Sequence, residues 1–64
     1  MQNAESLFTL KEAWRKLKIG EKKLREYRQS GVIRTLTIGG KLMITESEIQ
    51  RFIAAEKRRQ WKEN

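Results

Sequence analysis

Two short amphipathic segments separated by a three-residue turn constrain the fold of this chain more than any other feature. The first segment carries four apolar residues at helical spacing, Leu10, Ala13, Trp14 and Leu17. Thr9 and Glu12 form the T-x-x-E pattern of a capping box at its start. After residues 18–20, a second helix is predicted from Gly20 as N-cap to about Gln29. The sequence therefore predicts two short helices joined by a tight turn.

The segment from residue 35 to residue 44 predicts a β-hairpin, because apolar and polar residues alternate around Gly39-Gly40. A two-residue turn would place the apolar residues of the two strands on opposite faces. A three-residue loop that includes Lys41 would instead pair Ile38 with Leu42 and Leu36 with Ile44, and all four would face the core. We therefore predict the three-residue loop, with Lys41 near its tip.

A third helix is predicted after the hairpin, because Thr45 and Glu48 form a second capping box. Its buried side is expected to carry three apolar residues, Ile49, Phe52 and Ile53. Val32 and Ile33 are expected to return the chain to the core after the second helix. Leu7 or Phe8 is expected to pack against the start of the first helix.

Length and composition limit the chain to one small domain. With 64 residues the core is modest, and the absence of Cys and His leaves neither disulfides nor the usual zinc ligands. The domain is predicted over residues 7–55, with a flexible N-terminus at 1–6 and a basic, helical tail at 56–64. No segment predicts a membrane span or a signal peptide, so a cytoplasmic protein is expected.

The charge predicts an anionic partner. Fifteen Lys and Arg residues against eight Asp and Glu residues give a net charge of +7. Nucleic acid is the first expectation, and an anionic membrane surface or an acidic protein the second. Two short helices followed by a hairpin and a third helix predict an α+β winged helix-turn-helix, whose second helix lies in the major groove of DNA.

The chain resembles the excisionase and MerR-type winged helix-turn-helix proteins over about residues 7–53. The resemblance rests on the order and spacing of its motifs, which are Leu7–Ala13, Leu17–Gly20, Leu24-Arg25 with Tyr27, Ser30-Gly31, Ile38–Lys41 and Thr45–Ile53. The stretch Lys18–Arg25 is especially similar to excisionases of conjugative transposons and phages. Gly20 departs from the pattern, since relatives often place Ser or Thr there.

The resemblance implies a small protein that binds and bends DNA at the attachment site of a mobile element and directs a recombinase toward excision. It implies DNA contacts from the second helix at Lys22, Lys23, Arg25, Glu26 and Arg28, and from the wing at Lys41. The long dimerisation helix of MerR activators does not appear in this sequence, which favours an excisionase over a ligand sensor.

The residues of the second helix also divide by geometry. At 100° per residue, one face carries Lys22, Arg25, Glu26 and Gln29, while Leu24 and Tyr27 point to the core. Arg25 is the best candidate for base readout, because a guanidinium can grip guanine O6 and N7 together. Lys23 and Arg28 flank this face and are suited to phosphates. Glu26 could accept a hydrogen bond from cytosine or pair with Lys22.

The basic tail carries a large aromatic residue beyond the expected core. Arg58, Arg59 and Trp61 are candidates for contact with a partner protein or with a neighbouring copy on DNA. The expected partners are double-stranded DNA, a site-specific recombinase and further copies of the chain, with no membrane and no small-molecule ligand. A transcriptional regulator with the same fold and a basic protein-interaction adaptor remain alternatives.

An enzyme is not expected, and neither is a cofactor or a metal. The sequence has no His or Cys, no phosphate-binding loop and no recognisable pairing of a nucleophile with a base. Tyr27, the only tyrosine, falls on the core side of its helix, and Trp14 falls on the apolar stripe of the first helix.

Overall fold

The computed structural model describes residues 6–61, which form three helices and a three-stranded antiparallel sheet. The elements follow in the order β1 (Leu7–Thr9), α1 (Leu10–Leu17), α2 (Glu21–Gln29), β2 (Leu36–Ile38), β3 (Lys41–Thr45) and α3 (Glu46–Trp61). The predicted α+β winged helix-turn-helix is confirmed. The flexible N-terminus predicted at residues 1–6 lies, apart from Ser6, outside the described residues.

Local capping sets the bounds of the first two helices. The Thr9 hydroxyl accepts the Glu12 N–H at 3.1 Å, and the Glu12 carboxylate accepts the Thr9 N–H at 2.9 Å, so the predicted capping box is confirmed. α1 ends at Lys18, which adopts a left-handed conformation with φ of 61°. α2 begins after Gly20 and ends at Gln29, as predicted, with Ser30 as its C-cap. Two helices are thus joined by a turn of three residues.

All three helices contribute to one core. It consists of six buried residues, Ala13, Leu24, Ile33, Ile44, Ile49 and Phe52. Tyr27 packs against Phe52 with ring centroids 5.0 Å apart. The prediction that Val32 is buried is wrong: it is exposed, whereas Ile33 is buried. The N–H groups of both residues donate to the Tyr27 carbonyl, so the chain wraps around the end of α2 and only Ile33 reaches inward.

The predicted hairpin register is wrong. The turn contains only Gly39 and Gly40, and Ile38 pairs with Lys41 while Leu36 pairs with Met43. Both glycines have positive φ, +58° and +81°, which a two-residue turn of this kind requires and which glycine adopts without strain. Leu36 and Ile38 therefore face solvent, on the opposite face from the buried Ile44.

A third strand explains why this register is stable. β1 pairs with β3 and places Phe8 opposite Ile44, on the inner face of the sheet. Phe8 packs against the core, so the inner face is filled without the two apolar residues of β2. A strand of three residues is too short to produce a recognisable alternation, and the sequence predicted only that Leu7 or Phe8 would contact α1.

α3 begins with half of the predicted capping box. The Thr45 hydroxyl accepts the Glu48 N–H at 3.1 Å. The predicted hydrogen bond from the Thr45 N–H to the Glu48 carboxylate is not formed. This carboxylate instead accepts the Arg34 N–H at 2.9 Å and pairs with Arg51. Arg51 also donates to the Val32 carbonyl at 2.8 Å. These bonds join the segment between α2 and β2 to α3.

This Glu48 cluster predicts a pH-dependent contribution to stability. Only 12% of the Glu48 side chain is exposed, and the hydrogen bond from Arg51 lowers the pKa of its carboxyl below the ordinary value. A lowered pKa in the folded state stabilises the protein above pH 4.5, the ordinary value, and this contribution is lost as the pH falls through the folded-state pKa. Glu48→Gln is expected to reduce the melting temperature by about 4–8 °C at pH 7, corresponding to about 1 kcal/mol.

Thermal unfolding followed by circular dichroism from pH 7 to about pH 3 tests this prediction, because the protonated carboxyl resembles the amide. The difference between the two proteins should shrink toward zero at the acid end. Glu46→Gln is the matched control, since the Glu46 carboxylate accepts from Gln50 rather than from an arginine. A difference that stays constant with pH would contradict the account.

Candidate nucleic-acid interface

One face of α2 is polar and exposed, and the other is anchored in the core. The exposed residues are Lys22, Lys23, Arg25, Glu26 and Gln29. Leu24 is the residue of α2 that is fully buried, and Tyr27 is half-buried against Phe52. The structure thus brings five of the six predicted recognition residues together on one accessible surface, beside the half-buried Arg28. Their roles in DNA binding stay predictions.

The charged groups of this face are held by weak ion pairs. Arg25 lies 3.4 Å from the Glu21 carboxylate, and Lys23 lies 3.7 Å from the Glu26 carboxylate. The predicted pairing of Glu26 with Lys22 is wrong, because Lys23, one turn earlier on the same side, takes that position. All four side chains are about half exposed, and such pairs contribute roughly 0–1 kcal/mol. Arg25 can therefore exchange Glu21 for another partner at little cost.

Lys23 and Arg28 lie at the two borders between the polar face and the core. The Lys23 Nζ lies 5.6 Å from the centre of the Tyr27 ring, within cation–π distance of a residue that packs against the core. Arg28 is half-buried, and its Nε is buried without a hydrogen-bond partner among the described residues. Arg28 is thus partly packed, which limits the rotamer entropy that it loses on binding an anion, whereas Lys23 is more than half exposed.

The hairpin of β2 and β3 forms the wing. Lys41 is exposed, but the structure places it as the first residue of β3, opposite Ile38, and not in the loop where it was predicted. Lys41 lies in the strand and not in the loop because the turn contains only Gly39 and Gly40. Lys41 still directly follows Gly40 and lies at the outer end of the wing.

The sequence model of the helix-turn-helix domain family matches residues 7–57, which is most of the chain. The chain belongs to this family. No curated protein and no solved structure matches it. A helix-turn-helix domain indicates DNA as the partner, and in this fold the second helix, here α2, is the recognition helix.

The start of the recognition helix adds a feature that the sequence analysis did not use. Gly20 makes no side-chain capping bond, so the first backbone N–H groups of α2 lack the partner that a Ser or Thr cap would supply. Backbone N–H groups at such a helix start are suited to a phosphate oxygen. The signal in the sequence was Gly20, a residue without a side chain, at the N-cap position.

The basic tail is the last part of α3 in this helix-turn-helix protein. α3 continues to Trp61, although its last buried residue is Phe52. Arg59 pairs with Glu56 and thereby lowers the pKa of that carboxyl, while Arg58 is exposed. Trp61 is 70% exposed, and the Lys57 Nζ lies 5.7 Å from the centre of its ring. None of the helices in the part of the chain that the structure describes could span a membrane.

Proposed function

We propose that the protein is a sequence-specific architectural DNA-binding protein of the excisionase type, which directs a recombinase toward excision of a mobile element. The observation that carries the proposal is the geometry of the recognition helix. Leu24 holds one face of this helix against the core, and the opposite, polar face is left exposed. The similarity of Lys18–Arg25 to excisionases supports the finer assignment, and the matching family includes excisionase-like members. The protein acts by binding, without catalysis and without a cofactor.

The recognition helix lies in the major groove in this proposal. Arg25 releases Glu21 and donates two hydrogen bonds to guanine, and Glu26 or Gln29 contacts a neighbouring base. Lys23 and Arg28 bind the phosphates on either side, because they lie at the two borders of the polar face. Lys22 adds a further contact on the exposed face.

The wing lies against an adjacent groove, with Lys41 at its outer end near phosphate. A single module of this size buries a small interface on DNA, so one copy binds weakly. Several copies on repeated sites would raise the affinity and bend the DNA. Contacts made by Arg58, Arg59 and Trp61, either with a neighbouring copy or with the recombinase, would hold such an assembly together.

Binding is expected to depend strongly on salt. About five to eight neutralised phosphates give a slope of about −5 to −7 for the logarithm of the binding constant against the logarithm of salt concentration. Lys23→Ala should make this slope shallower by about one, since one phosphate contact is removed. Fluorescence anisotropy of a labelled duplex over a range of salt concentrations measures both slopes. A wild-type slope near zero would contradict a phosphate-based interface.

Footprinting across the DNA that surrounds the gene tests the function itself. An excisionase protects repeated sites at the ends of the element, and a circular-permutation gel assay detects the bend that it introduces. Addition of the protein should then raise excision by the element's recombinase in vitro. Protection confined to a promoter, with no effect on excision, would instead establish a transcriptional regulator.

A further inference from the structure

The sheet has a second face that the core does not use. We name it the outer sheet face and define it by Leu7, Leu36, Ile38 and Met43. The register places all four on the side opposite Phe8 and Ile44. Leu36 pairs directly with Met43, and Leu7 lies diagonally across from Met43 on the neighbouring strand. The apolar side chains therefore extend over all three strands.

Three of these four side chains are exposed, and Met43 is partly buried. Leu7 is 42% exposed, Leu36 is 48% exposed and Ile38 is 46% exposed. Large apolar residues that adjoin one another on a surface mark interaction sites, whereas single exposed ones need no explanation. Here the Gly39-Gly40 turn fixes the register, so the exposure of β2 is built into the fold.

A notch of about 160 Å³ opens at one end of the outer sheet face, where β2 begins and β3 ends. It is lined by Arg34, Thr35, Leu36, Thr45 and Glu48. The Glu48 carboxylate is already engaged by Arg51 and by the Arg34 N–H. The Arg34 guanidinium makes no salt bridge within residues 6–61, although its charge acts on the Glu48 carboxylate. The notch thus combines the apolar Leu36 with a cation that can take a further partner.

We propose that the outer sheet face binds a segment of a partner protein that carries apolar side chains and carboxylates. The apolar groups would cover Leu7, Leu36 and Met43, and a carboxylate would pair with Arg34 in the notch. Two copies of the chain are poorly suited to this contact, because each carries a net charge of +7. DNA is also poorly suited, since its phosphate backbone cannot bury an apolar surface that crosses three strands.

The position of this surface leaves the recognition helix free. Leu24 of α2 belongs to the same buried core as Ile44, on the inner side of the sheet, so α2 and the outer sheet face lie on opposite sides of β3. A partner bound here would leave α2 accessible to DNA, but it would adjoin Lys41, which pairs with Ile38 on the same face of the wing. The outer sheet face is therefore a second interface. The proposal does not depend on whether the DNA that α2 binds is an attachment site.

Three short peptides test the proposal by titration into the isotopically labelled protein, followed by amide NMR spectra. One peptide alternates Leu with Glu, the second alternates Leu with Lys and the third alternates Ser with Glu. We expect the Leu-Glu peptide alone to shift the amides of residues 7, 36, 38 and 43 and of the notch. Leu36→Thr with Ile38→Thr should weaken this binding by about tenfold or more, because two apolar contacts are lost.

Val32→Thr is the matched control, since Val32 is an exposed apolar residue outside the sheet, and its binding should equal that of the wild type. Melting temperatures of all variants verify that the fold is intact. Shifts from the Leu-Glu peptide that map to α2, or no shifts at all, would overturn the proposal. Shifts of residues 7, 36 and 43 caused by duplex DNA or by raising the protein concentration would also overturn it, in favour of DNA or of a second copy; residue 38 is left out of this control because it pairs with Lys41 of the wing.

Discussion

Arg25→Ala is expected to weaken binding to the footprinted site by about 5- to 150-fold, while binding to a scrambled duplex falls by less than about threefold. A bidentate contact between arginine and guanine contributes about 1–3 kcal/mol of discrimination, and scrambled DNA does not offer that contact at a fixed position. The exposed ion pair with Glu21 adds little to the folded state, so its loss should not obscure the effect. Fluorescence anisotropy with both duplexes at one salt concentration measures the two ratios.

Lys23→Ala provides the matched comparison, because Lys23 lies two residues away on the same helix and is about equally exposed. Since a phosphate contact carries no sequence information, this variant should weaken binding to both duplexes by the same factor. The reverse pattern, with Lys23 acting on the specific site alone and Arg25 on both duplexes, would overturn the roles assigned to these residues.

Leu24→Ala is expected to unfold a large share of the protein. Leu24 is the residue that buries α2 in the core, and replacing a buried leucine with alanine costs about 2–5 kcal/mol. A domain of this size has a total free energy of unfolding of about 3–5 kcal/mol. Urea denaturation followed by circular dichroism should show a lost or strongly shifted transition, and DNA binding should weaken in parallel.

Lys22→Ala is the control for Leu24→Ala, because it changes a residue in the same turn of α2. Lys22 is exposed, and exposed substitutions change the free energy of unfolding by about 0.5 kcal/mol or less. This variant should therefore unfold like the wild type while binding DNA more weakly. A Leu24→Ala variant within about 1 kcal/mol of the wild type would show that α2 is held by other contacts.

The helices could be predicted from the sequence because their determinants are local. The T-x-x-E pattern at Thr9 fixes the start of α1 through hydrogen bonds between residues three apart. The same local logic divides α2 into a polar face and a face anchored by Leu24 and Tyr27. The residues of the candidate site could be predicted from this division, because they lie on consecutive turns of one helix.

The hairpin could not be predicted in full, because its register depends on a strand that is distant in sequence. A three-residue loop would be needed only if Leu36 and Ile38 had to fill the inner face. Phe8, contributed by β1, fills it instead. The Gly39-Gly40 turn could then adopt its preferred two-residue form, and two apolar side chains were left on the outer face.

Glu48 shows the same limit at the level of one side chain. Its position three residues after Thr45 predicts a reciprocal capping box, and the Thr45 hydroxyl does cap the helix. Its carboxylate is taken by Arg34 and Arg51, which lie 14 residues before it and three residues after it. The Arg51 guanidinium and the long-range Arg34 N–H compete successfully with the local Thr45 N–H, and sequence spacing does not reveal that competition.

The central claim is that α2 reads a DNA sequence. It is tested most directly by the ratio of two dissociation constants, measured for the wild-type protein with the footprinted site and with a scrambled duplex of the same composition at about 0.15 M salt. We expect the specific site to be bound at least about 100-fold more tightly, because the scrambled duplex lacks several base contacts of about 1–3 kcal/mol each. Equal dissociation constants for the two duplexes would contradict it.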